Sequence, residues 1–290
     1  MLRPSFAPSR LLRQYSLIMD ITSLILIFIF GVIVGSFLNV VALRFNTGMG
    51  LGGRSKCMSC GTTLTWRELI PLFSFAVQKG ACKKCKSKIS WQYPLVEFIA
   101  GAIFVLIFFA FPPSDTLSTV TTLIQVVSAC LLVVISVYDI KHKIIPDGFV
   151  YTFAGLGLLN LFIGGSSWFH IPTLEMLISG PLLALPFALL WVVSKGNWMG
   201  LGDAKLTLGI GWFLGVSAGI NALVIAFWIA AAVSVIWLLA THKKIKPKIE
   251  IPFGPYLIVG MYLVLLFHIQ VIDIHLLKDI IVSYFPGFRL

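Results

Sequence analysis

Along the 290-residue chain, apolar positions fall in long unbroken blocks. They show neither the strict alternation of a half-buried strand nor the one-sided stripe of a surface helix. A helix needs roughly 17–25 apolar residues to cross a bilayer. Eight blocks approach that length: Ile21–Leu43, Leu95–Phe111, Thr119–Val137, Phe149–Gly164, Leu174–Val193, Gly202–Val216, Asn221–Ala240 and Tyr256–Ile272. The sixth is short and glycine-rich, so its boundary with the seventh is the least defined. The pattern predicts an all-α polytopic membrane protein of about eight transmembrane helices. No small-residue cleavage site follows the first block, which therefore reads as a true span rather than a secretory signal. The expected organisation is an N-terminal extension over 1–20, a first transmembrane helix over 21–43, a polar loop domain over 44–93, and a membrane core over 94–290.

Composition agrees with this reading and narrows it. The chain is 58% hydrophobic and 11% charged, with a mean hydropathy of +0.98. Soluble domains carry about 25% charged residues, so an ordinary cytosolic enzyme, a disordered chain and a polar nucleic-acid module are all excluded. The formal charge of +11 invites an anionic partner, but its distribution points elsewhere. Seventeen of the 22 basic residues lie in alternate loops: Arg44 to Lys88, Lys141 and Lys143, Lys195 and Lys205, and Lys243 to Lys248. The intervening loops between spans hold none. This positive-inside pattern predicts a cytoplasmic first loop and external termini, with the bilayer rather than a nucleic acid as partner. Arg3, Arg10 and Arg13 precede the first span on the wrong side. Either the nine charges beyond that span dominate, or translation starts at Met19.

The first loop contains Cys57-Met-Ser-Cys60 and Cys82-Lys-Lys-Cys85. Two C-x-x-C pairs at this separation read as a zinc site. Each pair forms a knuckle with inward sulfurs, and two knuckles complete a tetrahedral four-thiolate shell with no vacant position for water. The expected role is therefore structural. Two disulfides are the alternative, disfavoured because a cytoplasmic loop keeps its thiols reduced. Cys130, alone in the third span, reads as a small buried apolar side chain.

With only 11 acidic residues, each can be weighed. Asp139 ends the third span, and Asp203 opens the sixth in Gly200-Leu-Gly202-Asp203-Ala-Lys205. The charge pattern puts both at the cytoplasmic membrane edge, where ionisable groups are costly and mark functional sites. Two carboxylates meeting there can share a proton, one activating water and the other acting as an acid toward a carbonyl. Gly200 and Gly202 would let a substrate backbone approach. On the alternative reading, each aspartate caps a helix or pairs with Lys141, Lys143 or Lys205. Asp147, after Pro146, is expected to cap the fourth span, and Glu97 to make a polar contact inside the bundle. No H-E-x-x-H or P-loop occurs and no serine–histidine arrangement is visible, so metalloprotease, serine-hydrolase and P-loop chemistries lack their residues.

Taken in order, these pieces resemble the bacterial type IV prepilin leader peptidases, which are GxGD-type membrane aspartic proteases. The matching stretches are Gly35-Ser-Phe-Leu-Asn-Val-Val-Ala-Leu-Arg44, both cysteine pairs, Trp66-Arg-Glu-Leu-Ile-Pro-Leu-Phe-Ser74 and Tyr93-Pro-Leu-Val-Glu97. They continue through Asp139–Asp147 and Gly200–Lys205 to Ile251-Pro-Phe-Gly-Pro-Tyr256. The resemblance implies that Asp139 and Asp203 are catalytic and that Asp147 matches a recurrent family residue without a defined chemical role; Asp147, Glu97 and Lys205 are candidate supporting residues. It implies type IV prepilins and pseudopilins as substrates, their short basic leaders cut just before an apolar helix, commonly between Gly and Phe. It also implies structural Zn2+, a multi-pass place in the bacterial cytoplasmic membrane, and N-methylation of the new N-terminus by S-adenosylmethionine. Two rival readings are a transporter or assembly scaffold with proton-binding aspartates, and a membrane aspartic protease for other substrates. The first leaves Gly200 and Gly202 unexplained, and the second gives no reason for the cysteine loop.

Overall fold

A computed structural model describes residues 21–48, 50–163, 169–241 and 251–273. The extension carrying Arg3, Arg10, Arg13 and Met19, the basic run Lys243–Lys248, Gly164 and Asp279 lie outside those residues. Among the described residues the regular structure is helical: α1 Ile21–Arg44, a 3-10 turn Trp66–Glu68, α2 Phe73–Val77, α3 Gln92–Ala110 and α4 Thr116–His142. These are followed by α5 Asp147–Phe162, α6 Leu174–Ser194, α7 Leu201–Thr241 and α8 Gly254–Phe267.

Five of these helices, α1, α3, α4, α6 and α7, are long and apolar enough to cross a membrane, while α5 and α8 are shorter apolar helices. The expected sixth and seventh blocks form one helix, α7, interrupted at Gly215, whose φ of 77° and ψ of 179° are not helical. That backbone region is open essentially to glycine alone. The long helices are clothed in lipid-compatible side chains: Ile25, Ile29, Phe30, Ile33 and Phe37 of α1 are all exposed. Their buried faces mix large apolar side chains such as Phe104, Leu132, Leu206 and Ile210 with small and polar residues such as Ala100, Ser128 and Ser179, and the small ones let membrane helices approach closely.

The chain divides into two compact units, residues 1–137 and 138–290, with the boundary near the end of α4. In the first unit, α1 packs on α3 along Gly31, Gly35 and Asn39. A Cβ on Gly31 would lie 2.8 Å from the Gly101 Cα, and one on Gly35 would lie 2.7 Å from the Ala100 Cβ. The helices touch through backbone there, as small residues permit.

In the second unit, α7 is the central element, packing on α5, α6 and α8. A Cβ on Gly211 would lie 2.6 Å from the Ser179 carbonyl oxygen of α6, and one on Gly209 would meet Phe153 of α5 at 2.5 Å. The Ser179 hydroxyl donates to the Gly211 carbonyl (2.9 Å) and the Trp212 indole to the Leu177 carbonyl (3.0 Å). Interhelical hydrogen bonds of this kind supplement close packing where water is absent. Buried Asn221 ties the segment after α8 to α7, accepting from Val271 and Ile272 N–H, each at 2.7 Å.

Candidate active site and metal centre

The two cysteine pairs fold into the same knuckle twice. In the first, Cys57 N–H donates to the Thr62 carbonyl and Gly61 N–H to the Cys57 carbonyl; in the second, Cys82 N–H donates to Ser87 and Lys86 N–H to Cys82. One bridge closes each, Lys56 with Thr63 and Ala81 with Lys88. The fourth residue after each first cysteine is left-handed: Gly61 at φ 69° and Lys86 at φ 60°. All four sulfurs lie within 4.8 Å of one another, and none is in a disulfide. A tetrahedral zinc with Zn–S bonds of about 2.3 Å requires sulfurs about 3.8 Å apart. Cys57 and Cys85 meet that spacing at 3.8 Å.

Electrostatics prepares the same set for a cation. The backbone N–H groups of Cys60 and Ser59 and the Ser87 hydroxyl pull the Cys57 thiol down to about 6. Ser87 lowers Cys85 as well. At Cys82 the N–H groups of Cys85 and Lys84 favour the thiolate, but burial and the neighbouring sulfurs outweigh them and push the thiol up. A cation at the centre relieves that crowding, so the residues fit zinc.

Glu97 is buried, at 7% exposure, near the start of α3, and the sequence alone offered it no partner. It reaches across 25 residues to accept the Leu72 N–H at 2.8 Å, with the Ser36 side chain of α1 nearby. Leu72 has a φ of 59°, unusual for a branched side chain, so the bond fixes a strained turn just before α2. One turn along α1, the Asn39 amide donates to the Tyr93 carbonyl at 3.2 Å. Glu97 thus anchors the cysteine loop to the helices of its own unit. Glu97→Ala is expected to leave the Leu72 N–H without its partner, at a cost of about 1–3 kcal/mol. A fall in melting temperature of the purified protein, together with faster proteolysis between residues 66 and 80, is the measurable result.

In the second unit the end of α4 supplies Asp139 and the start of α7 supplies Asp203. Both are buried, at 4% and 9% exposure, and close enough for their charges to interact. Helix α4 stops three residues later, where Lys143 turns left-handed and its N–H returns to the Asp139 carbonyl (2.7 Å). The turn into α7 closes with the Asp203 N–H on the Gly200 carbonyl (3.2 Å), and the Thr207 hydroxyl caps the Asp203 carbonyl (2.6 Å). Ile145 packs between the neighbouring backbones: a Cβ on Gly202 would lie 2.8 Å from the Ile145 Cβ, and one on Gly254 would lie 3.3 Å from its Cδ1. A Cβ on Gly200, by contrast, would make only an ordinary 3.7 Å contact with the Asp203 Oδ2.

Neither buried aspartate pairs with a lysine among the described residues. Lys205 instead bonds Asp147 at 2.7 Å and lies 5.1 Å from the Tyr151 ring centre. Asp147 is the first residue of α5 rather than its cap, which is Pro146. Sequence reasoning did not single out Ile145 or assign Gly254 a task. The only trace of the latter was the dense Pro-Phe-Gly-Pro run that opens α8.

Fold and site together define a polytopic helical membrane protein with a four-cysteine metal-type cluster and a pair of buried carboxylates at helix ends. Residues 29–111 match the model of the bacterial peptidase A24 N-terminal domain, and residues 126–235 match that of the type IV leader peptidase family. A prepilin leader peptidase/N-methyltransferase of Bacillus subtilis (strain 168) is 30% identical over 255 residues, covering 87% of this chain and 97% of that protein. One of the same description from Klebsiella pneumoniae is 31% identical over 212 residues, 69% of this chain and 89% of its own. The type 4 prepilin-like proteins leader peptide-processing enzyme of Escherichia coli O78:H11 is 29% identical over 254 residues, 79% of this chain and 88% of its own. No solved structure matches. The chain belongs to the type IV leader peptidase family.

Proposed function

We propose that this chain is a bifunctional membrane enzyme, an aspartic endopeptidase for the leaders of type IV prepilins and pseudopilins that also N-methylates the new N-terminal residue. The observation that carries the peptidase reading is the pair of buried, mutually interacting aspartates, Asp139 and Asp203, at the ends of two apolar helices. Two neighbouring carboxylates in a water-poor site hold one proton between them. The ionised member takes a proton from water as the water oxygen bonds to the scissile carbonyl carbon. The protonated member hydrogen-bonds that carbonyl oxygen and then protonates the departing amine as the C–N bond breaks. The open space at Gly200 would admit the substrate backbone, while the small size of Gly202 serves packing against Ile145.

Zinc on Cys57, Cys60, Cys82 and Cys85 would hold the loop fold, since a closed thiolate shell leaves no place for a reacting water. S-adenosylmethionine would supply the methyl group as an electrophilic sulfonium. The described residues contain no glycine-rich strand-to-helix turn of the kind that cradles nucleotides, so no residue is assigned to it. The basic residues of alternate loops support a cytoplasmic site in the inner membrane and about eight crossings, with α5 and α8 among them and α7 supplying two.

The test is incubation of the purified protein with a prepilin, with and without S-adenosylmethionine, followed by mass spectrometry of the product N-terminus. Leader loss and a one-methyl gain are the expected results; a scaffold or transporter would give neither. The two glycines should also separate. Gly202→Ala is expected to destabilise the protein through its clash with Ile145. Gly200→Ala should fold normally, with an unchanged melting temperature, and lose cleavage because substrate is crowded out.

A further inference from the structure

We infer that the backbone N–H of Gly254 is a positioning group for the peptidase reaction, holding one oxygen of Asp139 so that the other faces the water to be activated. This rests on the reading of Asp139 and Asp203 as the catalytic pair.

Gly254 opens α8, so its N–H is one of the first-turn donors that no helical carbonyl can take. It is buried, and such a donor needs a partner. The partner is the Oδ2 of Asp139, at 3.1 Å across 115 residues of sequence. The flanking Pro252 and Pro255 carry no N–H and fix φ on either side. Phe253 anchors the turn, its ring centre 4.8 Å from that of Phe227 and 6.3 Å from that of Phe187. The donor is therefore rigidly aimed.

The residue type at 254 follows from the same geometry. A Cβ there would lie 2.7 Å from the Asp139 Oδ2 and 3.3 Å from the Ile145 Cδ1. Any side chain would push the carboxylate off its donor. With Oδ2 held, Oδ1 is the oxygen left to take the proton from water. This makes Asp139 the base and Asp203 the acid that protonates the leaving amine.

The test compares prepilin cleavage by the full-length protein with that by Gly254→Ala and Asp139→Asn. Displacement of a reacting group by about 1 Å typically costs about 100-fold in rate. Gly254→Ala should therefore lower kcat about 100-fold with KM unchanged, at unaltered zinc content and gel-filtration volume. A folded Gly254→Ala that keeps kcat within about twofold, beside an inactive Asp139→Asn, overturns the positioning role and leaves the catalytic pair intact. Full cleavage by Asp139→Asn overturns both. Should Gly254→Ala fail to fold, the amide itself decides. Labelling with 15N-glycine and carbonyl-13C-phenylalanine selects only Gly31 and Gly254, the two glycines that follow a phenylalanine. One of the two resonances should move in Asp139→Ala, and no movement of either overturns the inference.

Discussion

Asp139→Asn and Asp203→Asn should each abolish leader removal while leaving the protein expressed, folded and loaded with metal. The amide is nearly isosteric with the carboxylate, and in Asp139→Asn the side-chain carbonyl can still accept the Gly254 N–H, so geometry survives while proton transfer does not. General acid or base catalysis contributes about 10²–10⁴-fold, and either loss should leave activity near the detection limit of a gel-shift assay. The two losses should not add, because the carboxylates act as one unit sharing one proton. The double variant is therefore expected to be no slower than either single one. Substantial cleavage by one of the purified single variants would remove the aspartyl mechanism.

Metal removal should have the second-largest effect, confined to the loop. Structural zinc sites in small domains bind with about 10–16 kcal/mol, and that energy is folding energy. Cys82, the most buried of the four ligands, is the most sensitive position. Cys82→Ser should release zinc, measured by a chromophoric chelator, and expose the stretch from Arg54 to Lys88 to protease. Methylation should suffer more than proteolysis. Acid should act in the same direction. The Cys57 thiol is lowered from 9.0 to about 6. Its contribution to loop stability is therefore present above its ordinary value and lost as pH falls through about 6. Protons also compete with zinc for the thiolates, so release of metal on acidification, read by the same chelator, is the expected profile. Retention of metal by all four Cys→Ser variants would count against the site.

Much of this was legible from residue order. The long apolar blocks gave the helices because, in a membrane protein, span length is set by bilayer thickness rather than by subtle propensity. The cysteine pairs gave the knuckles because thiolate spacing along the chain constrains spacing in space. Asp139 and Asp203 stood out because charge is scarce in such a chain. The rest depended on contacts that sequence separation hides. Nothing near Glu97 in the chain points to the Leu72 N–H, since a carboxylate accepting a backbone donor leaves no complementary side chain to find. Asp147 looked like a cap, but Lys205, 58 residues away, takes its carboxylate. Gly202 and Gly254 each lack a side chain for the sake of a neighbour, Ile145 in one case and Asp139 in the other, and a glycine does not announce what it makes room for.

The break at Gly215 has a consequence for the path of the whole chain. At 1.5 Å per residue, an unbroken α7 would be a rod about 60 Å long, roughly twice the hydrocarbon thickness of a bilayer. No membrane could hold it upright. Bent back on itself at one achiral residue, the segment can enter and leave by the same face. Lys205 near its start and Thr241 at its end would then lie on one side. A single torsion at residue 215 would in this way set the parity of membrane crossings for everything that follows.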